Sequence, residues 1–246
     1  MRFYDIHVHS DASIGENSIE EIIKQAKRLE LTGIAVTDYF SSLNDIKQTR
    51  EKISNIDTDL DIALGAVIRA ETSDQLKKMV KDVRKHVDLV LVHGGDYRIN
   101  REAVEMPEVD VLCHPELDRR DSGMDHITAK SAAENKVAIE INFREILESF
   151  KKHRVYVISN MKKNIFLAKK YEAPIVATSG AASIWGMRAG RELAAFAFLL
   201  GLPLSGAINT VSAVPEKIIH INREKLAGKR LPGVKVAEEE NKGKGV

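Results

Sequence analysis

The sequence predicts a single α/β domain of the TIM-barrel kind, and three observations predict it. Short apolar runs of strand length recur along roughly 230 residues, most are separated by polar stretches with helical spacing, and 246 residues suffice for one such domain.

In chain order, the strand-like runs lie at 3–9, 33–37, 62–68, 87–93, 109–113, 137–142, 175–179 and 204–208. After the first run, Ser18 and Glu21 have the spacing of a capping box. Ile19, Ile22, Ile23, Ala26 and Leu29 then recur on one helix face. A second helix is predicted after Ser73, with Leu76, Met79, Val80 and Val83 facing inward. Strand order cannot be read from one sequence, so a doubly wound sheet stays open. The absence of a Gly-x-Gly-x-x-Gly turn after the first run weighs against a dinucleotide-binding version of it. The barrel is expected over 1–222. From Arg223 onward the pattern dissolves into Lys, Glu and Gly, and a charged, mobile tail over 223–246 is expected.

Composition excludes several classes. The chain carries 37 Lys and Arg against 36 Asp and Glu, a net charge of +1, so it is not a uniformly basic nucleic-acid binder. Any polyanion must be met by a local patch. One cysteine, Cys113, forbids an intramolecular disulfide. The longest apolar stretch, 193–200, is far short of the ~18 residues that span a bilayer, and no membrane partner is expected. A cytoplasmic location is the simplest expectation.

Alternation along a strand puts Asp5, His7 and His9 on one face. His93 ends the fourth run and His114 follows the fifth, so four of the eight histidines fall at the carboxyl end of the barrel strands, where catalytic groups gather. Converging imidazoles suit a metal ion. The plainer alternative is that each histidine hydrogen-bonds within a polar barrel mouth.

The run Asp5-Ile6-His7-Val8-His9-Ser10 resembles the first motif of the PHP (polymerase and histidinol phosphatase) superfamily of metal-dependent phosphoesterases. Thr37-Asp38, Val92-His93, Cys113-His114-Pro115 and Glu140-Ile141-Asn142 are similar to the motifs that follow. The departures are specific. Tyr39 stands where such enzymes carry a histidine and Val67 where they carry a glutamate. Gly180 and Ala182 stand where they carry an aspartate and a histidine. A hydrolytic metal centre needs carboxylates to hold its ions and position hydroxide. The losses therefore predict neutral histidines with little charge compensation, and at most a residual ion at His7, His9, His93 and His114.

Cations are concentrated instead. Residues 151–170 hold Lys151, Lys152, Arg154, Lys162, Lys163, Lys169 and Lys170 with no acid. Lys77, Lys81, Arg84 and Lys85 share a helix face, and Arg120 adds a further cation. Arg69, Arg98, Arg101, Arg119 and Arg144 lie just past strand ends, on a rim that Asp96, Glu116, Asp118 and Asp121 make mixed rather than basic. A solvated surface would explain such runs, but an acid-free stretch in a neutral chain favours an RNA phosphate backbone. The residues predicted to bind RNA are Arg69, Lys81, Arg84, Lys85, Arg98, Arg101, Arg119, Arg120, Lys151, Lys152, Arg154, Lys162, Lys169 and Arg188. Trp185 reads as core or protein interface, and with few aromatics no base-stacking platform is expected.

Four stretches resemble the archaeal ribonuclease P protein component 3 family more closely: His93-Gly94-Gly95-Asp96, Thr178-Ser179-Gly180-Ala181, the segment from Trp185 through Arg191 into Leu202, and Val214-Pro215-Glu216-Lys217-Ile218-Ile219. The resemblance implies a subunit without chemistry of its own. In that family the RNA, with its Mg ions, removes the 5′ leader of precursor tRNA. The protein pairs with component 2, joins the other ribonuclease P proteins, stabilises the catalytic RNA and requires no cofactor. The alternative is a divergent PHP phosphoesterase.

Overall fold

The computed structural model describes residues 1–229. Seven strands pair in chain order, all parallel: β1 (Tyr4–Val8), β2 (Gly33–Asp38), β3 (Asp61–Ile68), β4 (Leu89–His93), β5 (Val111–Cys113), β6 (Ala138–Asn142) and β7 (Ile175–Thr178). The sheet closes on itself at a parallel bridge between Val8 and Ala181, where the His9 N–H donates to the Ala181 carbonyl at 2.8 Å. The predicted barrel is therefore present, with one strand fewer.

The helices are α1 (Ile19–Arg28), α2 (Leu43–Ser54), α3 (Ser73–Arg84), α4 (Tyr97–Glu105), α5 (His126–Asn135), α6 (Phe143–Glu148), α7 (Lys151–Tyr171), α8 (Gly190–Leu199), α9 (Leu204–Asn209) and α10 (Ala213–Leu226). Helix α1 starts as its sequence predicts, with Ser18 and Glu21 capping each other's backbone N–H. The segment expected as an eighth strand is α9. Leu204, Ala207 and Ile208 satisfy helical spacing as well as strand length, and Pro203 stands at the N-cap. The chain leaving α9 seals the seam that a strand would have filled. The Thr210 carbonyl accepts from Ala177 N–H at 3.2 Å, and the Val211 carbonyl accepts from Tyr4 N–H at 2.8 Å.

Side chains from every strand fill the barrel, including Tyr4, Ile6, Ala35, Val67, Leu91, Val111, Ala138 and Val176. Each fully buried Leu, Ile or Val contributes about 1.5–3 kcal/mol. Helix α10 closes the end where the strands begin. Its Ile219 joins this interior cluster, and Asn222 Nδ2 donates to the Asp88 carbonyl at 2.9 Å and to Asp110 Oδ1 at 2.7 Å. The helix runs past the boundary expected at 222. Arg223 donates to Asp61 Oδ1 at 2.7 Å and to the Ile62 carbonyl at 2.8 Å, so a cation that reads as tail is a fastening of the body. The rest of the expected tail, 230–246, lies outside the described residues.

Candidate functional site at the barrel mouth

The barrel's open end is built from the carboxyl ends of the strands. On β1 the regular alternation fails, because the pairing register shifts between Asp5 and Val8. Tyr4 and Ile6 point into the barrel whereas Val8 packs outside it, so Asp5, His7 and His9 do not simply share a face. Asp5 Oδ1 instead accepts from the Ser179 N–H at 3.1 Å and the His7 N–H at 3.4 Å. Burial, opposed by these bonds, raises its pKa to about 6.

The four predicted histidines do converge. Ring centroids are 4.8 Å apart for His7 and His9, 5.4 Å for His7 and His114, and 5.0 Å for His93 and His114. Burial, reinforced by neighbouring positive groups, depresses His9 to about 2 and His93 to about 3, so both are neutral at physiological pH. Tyr39 acts as a bridge: its hydroxyl hydrogen-bonds His93 Nδ1 at 2.8 Å while its ring stacks on His9.

Charge compensation, expected to be scarce, is abundant. Glu140 Oε1 lies 2.6 Å from His7 Nδ1 and accepts from the Thr178 hydroxyl at 2.6 Å. Burial opposes ionisation of Glu140, but His7, His114 and these hydrogen bonds outweigh it and hold the carboxyl far below its ordinary value. Glu145 Oε1 lies 2.6 Å from His114 Nδ1. Burial and then the Glu140 charge push Glu145 up to about 8. Asp38 accepts from the Ser10 N–H at 2.9 Å and the Ser10 hydroxyl at 2.6 Å. His7, His114 and Glu140 each offer one ligand atom, and the three atoms lie within 4.8 Å of one another.

Glu145 is the residue that sequence reasoning missed altogether, because it belongs to a short helix 31 positions beyond its partner. Glu140 appeared only inside a motif, although a lone acid between Ile139 and Ile141 was itself a signal of an inward polar position. The positions at which the sequence departs from the resembled hydrolase motifs have other roles. Val67 packs in the barrel interior, and Gly180 holds a φ of +60° with any Cβ meeting the Asn142 amide at 2.3 Å. A cavity of about 410 Å³ opens over the histidines, rimmed by Arg69, Arg144 and Glu148.

The predicted RNA-binding cations do not form one surface. Arg69, Arg98, Arg119 and Arg120 follow strand ends, and Lys151 and Lys152 open α7. Arg119, Arg120, His153 and Tyr156 line a cavity of about 320 Å³ between these two groups. Lys81, Arg84 and Lys85 lie at the end of α3, on the side where strands begin, and Lys85 lines a cleft with His86 and Asp88. Lys162 and Lys169 lie further along α7, where Lys169 donates to the Gly201 carbonyl.

Several of these cations are already engaged. Arg84 pairs with Asp110 and donates to the Val87 and Asp88 carbonyls at 2.8 and 3.0 Å. Arg101 pairs with Glu105, Arg119 with Asp121, and Arg154 donates to the Ser149 carbonyl. Arg188 donates to the Trp185 and Met187 carbonyls and covers the Phe143 ring. Among the described residues, Arg69, Lys81, Lys85, Arg98, Arg120, Lys151, Lys152 and Lys162 have neither a hydrogen-bonded nor an ion-paired side-chain head. Trp185 is 80% exposed, so it is not core. No helix among the described residues is long and apolar enough to cross a membrane.

Comparison with known proteins gives a consistent pattern. The family described as RNase P subunit p30 matches residues 2–227. Ribonuclease P protein component 3 of Methanosarcina barkeri is 36% identical over 238 residues, covering 97% of each chain. The same component of Methanosarcina mazei is 37% identical over 221 residues, covering 90% of each. A chain in the cryo-EM structure of archaeal ribonuclease P with mature tRNA superposes with a TM-score of 0.77 at 29% identity, covering 96% of this chain and 99% of that one. A Xaa-Pro dipeptidase superposes with a TM-score of 0.57 at 11% identity, over 90% of this chain and 76% of that one, a likeness of fold alone.

Proposed function

The chain belongs to the RNase P subunit p30 family, and from that premise we propose that it is a protein subunit of ribonuclease P that stabilises the catalytic RNA. The observation that carries this reading is the end-to-end correspondence with component 3 relatives and with a chain of a ribonuclease P that holds tRNA. The subunit leaves cleavage of the precursor tRNA 5′ leader, and the Mg ions that cleavage uses, to the RNA. Its assembly partners are the RNA, component 2 and the other ribonuclease P proteins, in the cytoplasm.

Physically, the unpaired cations Arg69, Arg98, Arg120, Lys151 and Lys152 supply positive potential around the mouth and the start of α7. Neutralising phosphates there lowers repulsion as RNA helices pack, and releases counterions. Such interactions read backbone and A-form shape more than base sequence. The engaged arginines, Arg84 above all, support the surface rather than form it.

Reconstitution tests the reading. The RNA and partner proteins are assayed on precursor tRNA with and without this chain. Leader removal is expected to rise, and the Mg²⁺ needed for half-maximal cleavage to fall, when the chain is added. Unchanged cleavage together with no RNA binding at moderate salt would overturn it.

A further inference from the structure

Helix α7 begins without support. Residues 150–156 are all exposed, although a helix packed on a barrel normally buries one face, as α7 does from Val157 onward. Three large apolar side chains stand in this stretch: Phe150 is 70% exposed, Val155 65% and Tyr156 51%. Between Phe150 and Val155 lie Lys151, Lys152, His153 and Arg154, with no acid. Exposed apolar groups gathered at one place mark a binding surface, and the cations among them fix its sign. The partner is an anion that also presents flat apolar faces, which describes a nucleotide with an unstacked base.

Tyr156 is placed to receive it. Its side chain lines the cavity of about 320 Å³ together with His153, Asp118, Arg119 and Arg120. His153 and Tyr156 are three apart on α7 and so stand on one side of the helix. The facing wall, the turn after β5, is fixed in place. Asn164 Nδ2 of α7 donates to Glu116 Oε2 at 3.0 Å and to the Ser122 carbonyl at 2.9 Å. Arg119 pairs with Asp121 and donates to the Gly95 carbonyl at 2.8 Å. Among the described residues, neither the Arg120 guanidinium nor the Tyr156 hydroxyl has a partner within the chain.

We propose that this cleft receives one unpaired nucleotide of the RNA, its base stacked on the Tyr156 ring and its phosphate beside Arg120. This rests on the subunit reading above and adds to it a contact that is more than backbone. The volume stands at the small end of the roughly 300–1,000 Å³ typical of ligand pockets and suits one nucleotide, not a helix. Asp118 shares the cleft and offsets part of its positive charge, so stacking rather than charge alone carries the contact. Every base has a π-face, and the contact is therefore tolerant of base identity. The chain is poor in aromatic residues, but a single exposed ring beside free cations suffices for a single base.

The RNA, the partner proteins and the full chain are assembled, irradiated with ultraviolet light and digested with trypsin. Mass spectrometry is expected to find a nucleotide adduct at Tyr156, on the peptide covering 155–162. In parallel, filter binding to the RNA compares the unaltered chain with two variants. Tyr156→Leu, close in size but not aromatic, is expected to weaken binding roughly 5- to 100-fold with an unaltered salt slope. Tyr156→Phe keeps the ring and should stay within about twofold. Circular dichroism and the thermal midpoint establish that both variants fold. An absent adduct, or Tyr156→Leu binding within about twofold of the unaltered chain, would overturn the site. So would a Tyr156→Leu chain that keeps its RNA affinity but no longer captures component 2, since that assigns the surface to a protein. If the unaltered chain binds RNA and raises cleavage while Tyr156→Leu matches it, the nucleotide site alone falls. If the unaltered chain does neither, the subunit reading falls and takes the site with it.

Discussion

The Tyr39 hydroxyl and His93 Nδ1 meet at 2.8 Å across the barrel mouth, and the Tyr39 ring stacks on His9 with an interplanar angle of 13°. A phenol here joins two strand ends that would otherwise leave two imidazoles side by side. Tyr39→Phe keeps the stack and deletes the bridge. It is expected to cost about 1 kcal/mol and lower the thermal midpoint by about 2–4 °C, checked by calorimetry. RNA affinity should stay unchanged.

Restoring a carboxylate at Gly180 should fail. The residue holds a φ of +60°, and a Cβ would lie 2.3 Å from the Asn142 amide. Gly180→Asp is expected to destabilise by on the order of 1–3 kcal/mol in denaturant unfolding. It should bring no hydrolysis of a generic phosphate ester, and measurable turnover would contradict the reading of this position as structural.

Arg84 should behave as a fastening rather than as a partner of RNA. Its guanidinium pairs with Asp110 and caps two carbonyls at the start of β4, with the side chain largely buried. Arg84→Ala is expected to cost about 3–5 kcal/mol, since it strands a buried carboxylate. The neighbouring exposed Lys85→Ala should stay within about 0.5 kcal/mol. Equal stabilities of the two variants would refute the distinction.

Asp125 carries a pH-dependent contribution. It caps α5 by accepting from Thr128 N–H at 2.8 Å, and it accepts from the Tyr97 hydroxyl at 2.8 Å. Desolvation is the largest single influence and raises its pKa, but these hydrogen bonds together prevail and lower it to about 2. A depressed carboxylate stabilises the fold above its unfolded pKa and loses that contribution as pH falls through the folded value. The gap between the unaltered chain and Asp125→Ala should be about 1 kcal/mol at neutral pH. It should shrink as pH drops from about 4 toward about 2. A gap that grows on acidification would reverse the sign.

The unpaired cations are expected to set the salt dependence of RNA binding. Replacing Arg120, Lys151 and Lys152 by Ala should lower the slope of log K against log salt by about 0.7–0.9 for each phosphate that is no longer neutralised. Filter binding over a salt series measures it. An unaltered slope would assign the RNA surface elsewhere.

Local signals explain what could be read in advance. Ser18 and Glu21 announce α1, seven of the eight apolar runs announce strands, and histidines at strand ends announce a polar mouth, because each depends on neighbours a few residues apart. Leu204 to Ile208 misled because a short apolar run satisfies both periods, and the choice fell to Pro203 and the seam it feeds.

The sequence by itself determined the α/β class, most of the strands and the family, since periodicity and motif residues are properties of the chain. The strand order that makes a closed barrel came from the structure. Only the tertiary structure decided the chemistry of the mouth. The bulge in β1 rephases His7 against Asp5, Glu140 meets His7 from 133 positions away, and Glu145 reaches His114 from a helix outside the barrel. It likewise decided which cations are spoken for, as Arg84 is by Asp110. Pairings across such separations depend on where strand ends converge in space, and no local pattern encodes that.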